Sequence, residues 1–255
     1  MENIFKIEGR NAVIEALKSE KEIDKLYVLK TDVKGSLSKI LGLAKARKIP
    51  VSYLDKKKLD EMSETKAHQG VILSVSPVSY ASVEDILNLA KEKNEPPFIV
   101  LLDGIEDPHN LGAIIRTANA SGAHGIIIPK HRSAYINAAA VKVSAGACFH
   151  TLVAKVTNLN NTIRDLKEKG VWFYGADMHG EKNVFETSFS GGVGLIIGNE
   201  GNGISQSVLK ECDFTVNIPM FGKTESLNAS VSAGILMYSV VRDKLRKDWY
   251  KWKQL

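Results

Sequence analysis

Three stretches hold residues whose types and spacing could do chemistry, and each follows an apolar run. Gly198-Asn199-Glu200-Gly201-Asn202-Gly203 sets one carboxylate among glycines directly after Val193 to Ile197. Glycine at a strand end lets the backbone take positive φ or approach a ligand closely, although the same residues also suit a tight surface turn. Asp103-Gly104-Ile105-Glu106-Asp107-Pro108-His109-Asn110 follows Phe98 to Leu102 and leads towards Arg116. Asn110 suits an N-cap. Gly112 and Ala113 permit close approach to the first turn of a helix, where backbone N–H groups favour anions. The third stretch, Ile218-Pro219-Met220-Phe221-Gly222-Lys223 continuing to Ser226-Leu227-Asn228, again offers cap residues. Three coincident caps explain the pattern less well than one shared site, because ligands of α/β sheets sit at the carboxyl ends of the strands.

Several chemistries are excluded. Gly198 to Ser205 has the spacing of a phosphate-binding P-loop, but Ile204 occupies the lysine position, so nothing neutralises a triphosphate. No G-x-G-x-x-G follows a strand and no G-x-S-x-G is present. No two histidines stand four apart, and Cys148 and Cys212 belong to no C-x-x-C, so neither a metal site nor a disulfide framework is expected. Lys and Arg number 34 against 29 Asp and Glu, a net charge of +5 that permits a nucleic-acid partner. The first residues lack the apolar core of a signal peptide, and no apolar run approaches the ~20 residues of a membrane span. A cytoplasmic protein is expected.

The elements that must position these stretches fall into two groups. Residues 1–77 alternate helix and strand, with strands at Lys25 to Leu29, Ile49 to Tyr53 and Gly70 to Val75, making a small α/β domain. A polar helix from Ser82 to Lys93 carries a capping-box pattern, Ser82 with Asp85. The break at Asn94-Glu95-Pro96-Pro97 places a linker or domain boundary at 78–97. From 98 to 255, continuous apolar strands alternate with helices, which predicts a parallel sheet covered on both faces. The last helix, from Asn228 to Lys247, shows Val231, Ile235, Tyr238, Val241 and Leu245 as one apolar stripe beside the small residues Ala229, Ser230, Ser232, Ala233 and Gly234.

Asn110-Leu111-Gly112-Ala113-Ile114-Ile115-Arg116, Gly198-Asn199-Glu200-Gly201, and Ile218-Pro219-Met220 with Ser226-Leu227-Asn228-Ala229-Ser230 resemble, in order, the three motifs of the SpoU family. These are RNA ribose 2′-O-methyltransferases of the SPOUT class that use S-adenosylmethionine. The resemblance covers 98–247; Ala229, where many relatives carry valine, is a small departure. Gly9-Arg10-Asn11-Ala12-Val13 and His68-Gln69-Gly70-Val71 resemble the amino-terminal RNA-binding domain of members that modify ribosomal RNA.

The resemblance implies a trefoil knot in the second domain, a homodimer, and a bent cofactor held largely by backbone groups. By position it assigns Gly198, Ile218 and Leu227 to the cofactor, with Ala176, Met220 and Ser226 as further contacts. Asn110, Arg116, Glu200 and Asn228 form the implied catalytic set. Arg10, Lys56 to Lys58, Lys130-His131-Arg132 and Lys223 are candidate phosphate contacts. The implied substrate is a guanosine of large-subunit ribosomal RNA. Transfer RNA, an antibiotic-resistance methylation of ribosomal RNA, and a non-catalytic role in ribosome assembly are the alternatives. The tail Trp249-Tyr250-Lys251-Trp252 either covers a dimer interface or caps the last helix.

Overall fold

A computed structural model describes residues 6–19, 21–30, 35–63, 65–224 and 226–252, with side chains described as far as Arg246 in the last helix. The chain divides into two compact units, residues 1–79 with 135–138, and residues 80–134 with 139–255.

The first unit runs β1 (Lys6–Glu8), α1 (Arg10–Lys18), β2 (Ile23–Leu29), α2 (Ser36–Ala46), β3 (Val51–Leu54), α3 (Lys56–Met62) and β4 (Val71–Val75). Its four strands lie in the order β1-β4-β2-β3. Only β2 and β3 are parallel; β4 is antiparallel to both neighbours. Val13 and Leu17 of α1 meet Leu37 and Ile40 of α2 over Leu26, Val28, Val71 and Leu73 of the sheet. Arg47 closes α1: its guanidinium donates to the carbonyls of Leu17, Ser19 and Lys21 at 2.8–3.0 Å. The Leu17 carbonyl is one that a helix end leaves without an intrahelical donor, and those of Ser19 and Lys21 belong to the chain that leaves the helix.

The second unit runs α4 (Val83–Glu92), β5 (Phe98–Asp103), α5 (Pro108–Ala120), β6 (Gly125–Pro129), α6 (Ala138–Val143), β7 (Val153–Val156), α7 (Leu159–Glu168), β8 (Val171–Ala176), β9 (Lys182–Asn183), β10 (Gly192–Gly198), α8 (Gln206–Leu209), β11 (Phe214–Asn217) and α9 (Ala229–Trp252). The sheet order is β7-β6-β5-β10-β8-β11-β9, and every pair is parallel. β5, β6, β8 and β10 are buried nearly throughout, as expected of a parallel sheet with helices on both faces.

One expectation changes here. The stretch 78–97 is largely not a linker. The capping box of Ser82 and Asp85 starts α4, and Ile86 and Leu87 enter the same core as Ile99, Leu101 and Phe173. The division between the two units falls at 79/80, inside that stretch, and the prolines mark the entry to β5. The apolar stripe on α9 is largely turned away from the core. Val231, Tyr238 and Leu245 are 49%, 52% and 64% exposed, whereas Ala233, Leu236, Met237 and Val240 are buried. Both sets recur at helical spacing, and only the neighbouring elements decide which faces inward. The tail Trp249-Tyr250-Lys251-Trp252 lies outside the described side chains.

His124, at the entry to β6, is fully buried. Its Nδ1 accepts the Phe98 N–H at 2.9 Å, so the proton sits on Nε2, which faces Glu95 Oε2 at 3.6 Å. Burial, with Lys244 and Lys93 nearby and Glu95 only partly opposing, pulls its pKa down to about 4. The unfolded chain therefore takes up a proton between pH 6.5 and 4 that the native chain refuses. The unfolding free energy should fall as pH drops through that window, by up to about 3 kcal/mol. Denaturant titrations at several pH values should show the loss. His124→Asn, whose Oδ1 can still accept from Phe98, should flatten it relative to the native chain.

Candidate active site

The carboxyl ends of β5, β10, β8 and β11 come together in the second unit, and the three polar stretches leave the sheet there. The loop after β10 folds over its own strand. Asn199 and Gly203 pair backbone to backbone, N–H to O at 3.1 and 2.8 Å. Asn199 Oδ1 accepts the Gly201 N–H at 2.8 Å, and its Nδ2 donates to the Gly104 carbonyl at 3.0 Å. The loop is thus tied both to itself and to the end of β5. Asp103 adds a second tie by accepting the Ser205 N–H at 2.8 Å.

This fold-back explains Gly198. A Cβ there would lie 2.2 Å from the Gly203 carbonyl carbon and 2.3 Å from the Ile204 nitrogen. The glycine is needed because the returning loop crosses its own strand, and its φ is not positive. Gly203 takes φ +64°, while Gly201 meets only Asn199 Oδ1, at 3.4 Å. Gly112 also differs from expectation. A Cβ on it would lie 2.7 Å from the Ala140 carbonyl, so it seats α5 against α6 and does not open a helix terminus to an anion.

Asn110 is not a cap. Asp107 caps α5 by accepting the His109 N–H at 2.9 Å, with Pro108 following it. That leaves the Asn110 side chain free, and it donates to Glu200 Oε1. Asn228 Nδ2 donates to Asn110 Oδ1 at 2.9 Å and lies 3.3 Å from the same Glu200 oxygen. Asn228 is bifunctional, since its Oδ1 also accepts from the Ser230 and Val231 N–H groups at the start of α9. Three residues far apart in sequence are therefore joined by side-chain hydrogen bonds. Both amides hold Oε1, and among the described residues Oε2 has no hydrogen-bond partner.

Beside this trio lies a cavity of about 310 Å³. Ala176, Gly198, Ile218, Met220, Ser226 and Leu227, the six residues placed at the cofactor from sequence, all line it. Ile197 and Val216 add apolar wall. Sequence reasoning missed Asp177, Met178 and His179, which follow β8 and also line the cavity, together with Asn202 and Gln206. Among the described residues the lining includes Asp177 and Glu200 and no lysine or arginine. Such a wall suits a ligand carrying positive charge and repels a polyphosphate.

Arg116 is not drawn into the trio. It lies nearly two turns beyond Asn110 on α5, is exposed, and forms no hydrogen bond or ion pair among the described residues. Arg132, at φ +54°, and Lys223 are exposed in loops of the same unit. Arg10, in the first unit, is partly committed to the fold: its Nε donates to the Gln69 carbonyl at 3.0 Å and its Nη1 to Ser36 Oγ at 3.2 Å. Among the described residues no group of His, Cys, Asp and Glu is placed to hold a metal ion, and no helix is long and apolar enough to cross a membrane.

Residues 97–238 match the model of the SpoU rRNA Methylase family. The chain belongs to this family. Residues 6–81 match a second model, RNA 2′-O ribose methyltransferase substrate binding. YacO of Bacillus subtilis, whose name places it in the TrmH family of tRNA/rRNA methyltransferases, is 46% identical over 92% of this chain and 94% of its own. A relative from Staphylococcus saprophyticus, named for the same family, is 43% identical over 96% of this chain and 97% of its own. Among solved structures, the SpoU methyltransferase AviRb of Streptomyces viridochromogenes, in complex with the cofactor AdoMet, is similar with a TM-score of 0.60. It shows 26% identity, covering 94% of this chain and 90% of that one. An AdoMet-bound rRNA methyltransferase of Sinorhizobium meliloti gives a TM-score of 0.58 at 26% identity, over 93% and 87% of the two chains. This SpoU chain is an RNA methyltransferase built from a substrate-binding segment followed by a methylase segment.

Proposed function

We propose that the chain transfers a methyl group from S-adenosylmethionine to a ribose 2′-hydroxyl of ribosomal RNA, at a guanosine of the large subunit. The observation that carries the reading is the cavity at the strand ends with the Asn110–Glu200–Asn228 trio at its edge. The size of the cavity lies within the range of small-molecule sites. The apolar slot of Ile197, Ile218 and Leu227 suits an adenine, and the two carboxylates suit a sulfonium and an ammonium group.

When bound, the cofactor supplies an electrophilic methyl carbon. The residues of the chain must bring a ribose oxygen to about 3–3.5 Å from it and remove the proton of that hydroxyl. Glu200 Oε2 is the acceptor in this reading: Asn110 and Asn228 fix Oε1 and so aim the other oxygen. Arg116 grips the adjoining phosphate and stabilises the developing alkoxide, since a guanidinium with pKa above ~12 is a poor base. Gly198, Ala176, Ile218, Met220, Ser226 and Leu227 form the cofactor wall, while Arg10, Arg132 and Lys223 contact RNA phosphates. We read the loops 199–205 and 218–228 as parts of the trefoil knot of the SPOUT class. The exposed stripe of Val231, Tyr238 and Leu245 on α9 supports a homodimer, because an apolar stripe of this kind favours burial against a second copy.

Mapping ribose methylation in RNA from cells with and without the gene tests the substrate. Loss of one 2′-O-methyl guanosine in large-subunit RNA is expected; loss of a transfer RNA modification would overturn the ribosomal reading. Arg116→Ala should lower the single-turnover rate at saturating RNA about 100-fold, with calorimetric affinity for S-adenosylmethionine unchanged because Arg116 does not line the cavity. An Arg116→Lys variant that loses RNA affinity but keeps the chemical rate would remove Arg116 from the chemistry.

A further inference from the structure

We propose that Phe221 is a stacking platform for a base of the RNA substrate at the mouth of the cavity. The inference rests on the reading of that cavity as the methyl-transfer site. Phe221 is 98% exposed, more than any other large apolar side chain described. A phenyl ring left in water forgoes the burial that usually keeps phenylalanine inside. Its position is specific. Met220, immediately before it, lines the cavity, and the chain returns to the lining at Ser226 and Leu227. Consecutive Cα atoms lie about 3.8 Å apart, so the backbone of Phe221 is one step from the cavity lining and its ring is in solvent. It does not itself line the cavity, so it is not a wall of the cofactor slot.

A cation stands close to it in the chain. Lys223, two residues on, is exposed, and Glu225 follows it in the sequence. The cavity lining also includes Met178, 56% exposed, and the exposed His179. An aromatic face beside a cation matches single-stranded RNA, which presents base faces along a phosphate backbone. The reaction demands such an approach. A ribose hydroxyl must enter the cavity mouth, which pulls its nucleotide out of the stack, and an aromatic ring at the rim replaces the stacking partner a base loses. Lys223 then lies against the adjoining phosphate.

The test uses the full chain and two RNA probes. One is a fluorescein-labelled single strand of roughly 15 nucleotides and mixed sequence. The other is bulk RNA from a strain lacking the gene, as methyl acceptor with radiolabelled S-adenosylmethionine. Phe221→Ala should weaken binding of the labelled strand and raise KM for the bulk RNA about tenfold, with kcat and the Kd for S-adenosylmethionine unchanged. Phe221→Trp should restore both and Phe221→Leu should not, because stacking needs a π face and not apolar area alone. Rescue by leucine equal to that by tryptophan overturns the proposal. So does weakened cofactor binding, which would put the ring over the cofactor, or dissociation of a dimer in sedimentation velocity that accounts for the RNA effect. If the native chain binds the labelled strand but methylates no RNA, the cavity reading fails, and the binding comparison still decides the role of Phe221.

Discussion

Replacing Gly198 with alanine should abolish binding of S-adenosylmethionine while leaving most of the fold standing. The added Cβ would sit 2.2–2.4 Å from Gly203 and Ile204 backbone atoms. Backbone cannot swing aside as a side chain can, so either the fold-back of residues 199–203 opens or the end of β10 shifts. Either movement displaces one wall of the cavity and also the base of Glu200. A misplacement of about 1 Å at a binding site costs about 100-fold, and calorimetry should detect no heat at concentrations that saturate the native chain. The other two glycines provide internal controls. Gly201 has a φ open to any residue and only Asn199 Oδ1 nearby at 3.4 Å, so Gly201→Ala should bind almost normally. Gly203 meets nothing within 4 Å but takes φ +64°, and alanine there should cost about 1 kcal/mol of loop strain. Equal loss of binding in all three would show that loop flexibility, and not the crossing at Gly198, governs the cavity. Circular dichroism melting separates the local effect from unfolding.

Those three glycines show how much of the site was legible in the sequence. Their clustering around Glu200 after an apolar run pointed to a strand end, and β10 ends there. The reason for each glycine was not legible. It depends on a crossing between residues 198 and 203, which no local pattern encodes. Asn110 behaves similarly. Its residue type suggests a cap, but Asp107 three positions earlier takes that role, and only the spatial return of 200 and 228 gives Asn110 its partners. The long buried strands β5, β6, β8 and β10 were readable because burial on both faces makes them continuous apolar runs. The short edge strands β1 and β9 were not, since pairing with β4 and β11 alone defines them. Asp177 and His179 escaped notice because nothing near them in sequence says that the chain leaving β8 bends over the ends of β10 and β11. The stripe on α9 has helical periodicity, and Val231, Tyr238 and Leu245 on it are exposed. Periodicity finds an apolar face, and contact with α5 and β10 determines whether that face is the buried one.

Glu200→Gln should lower the single-turnover methylation rate at saturating cofactor by a factor of about 100 to 10,000, beyond the weaker cofactor binding expected from losing one of the two carboxylates that line the cavity. Glutamine keeps the length of the side chain and one carbonyl oxygen, which can still accept from Asn110 and Asn228 in place of Oε1. What it loses is the second anionic oxygen. If Glu200 serves only to hold the loops, glutamine should serve nearly as well. The size of the rate loss therefore separates a proton acceptor from a brace. Asn110→Ala and Asn228→Ala complete the comparison. Each removes a donor from Glu200, and Asn228→Ala also removes the acceptor at the start of α9. If the amides act by aiming Glu200, each should be damaging in the native background and nearly silent in the Glu200→Gln background, a coupling that a double-mutant cycle reads directly. Additive losses would mean that the amides contact the ribose on their own account. Raising the pH offers an independent check. A variant lacking the acceptor should regain rate at high pH, as hydroxide takes over proton removal, whereas a variant with a displaced loop should not.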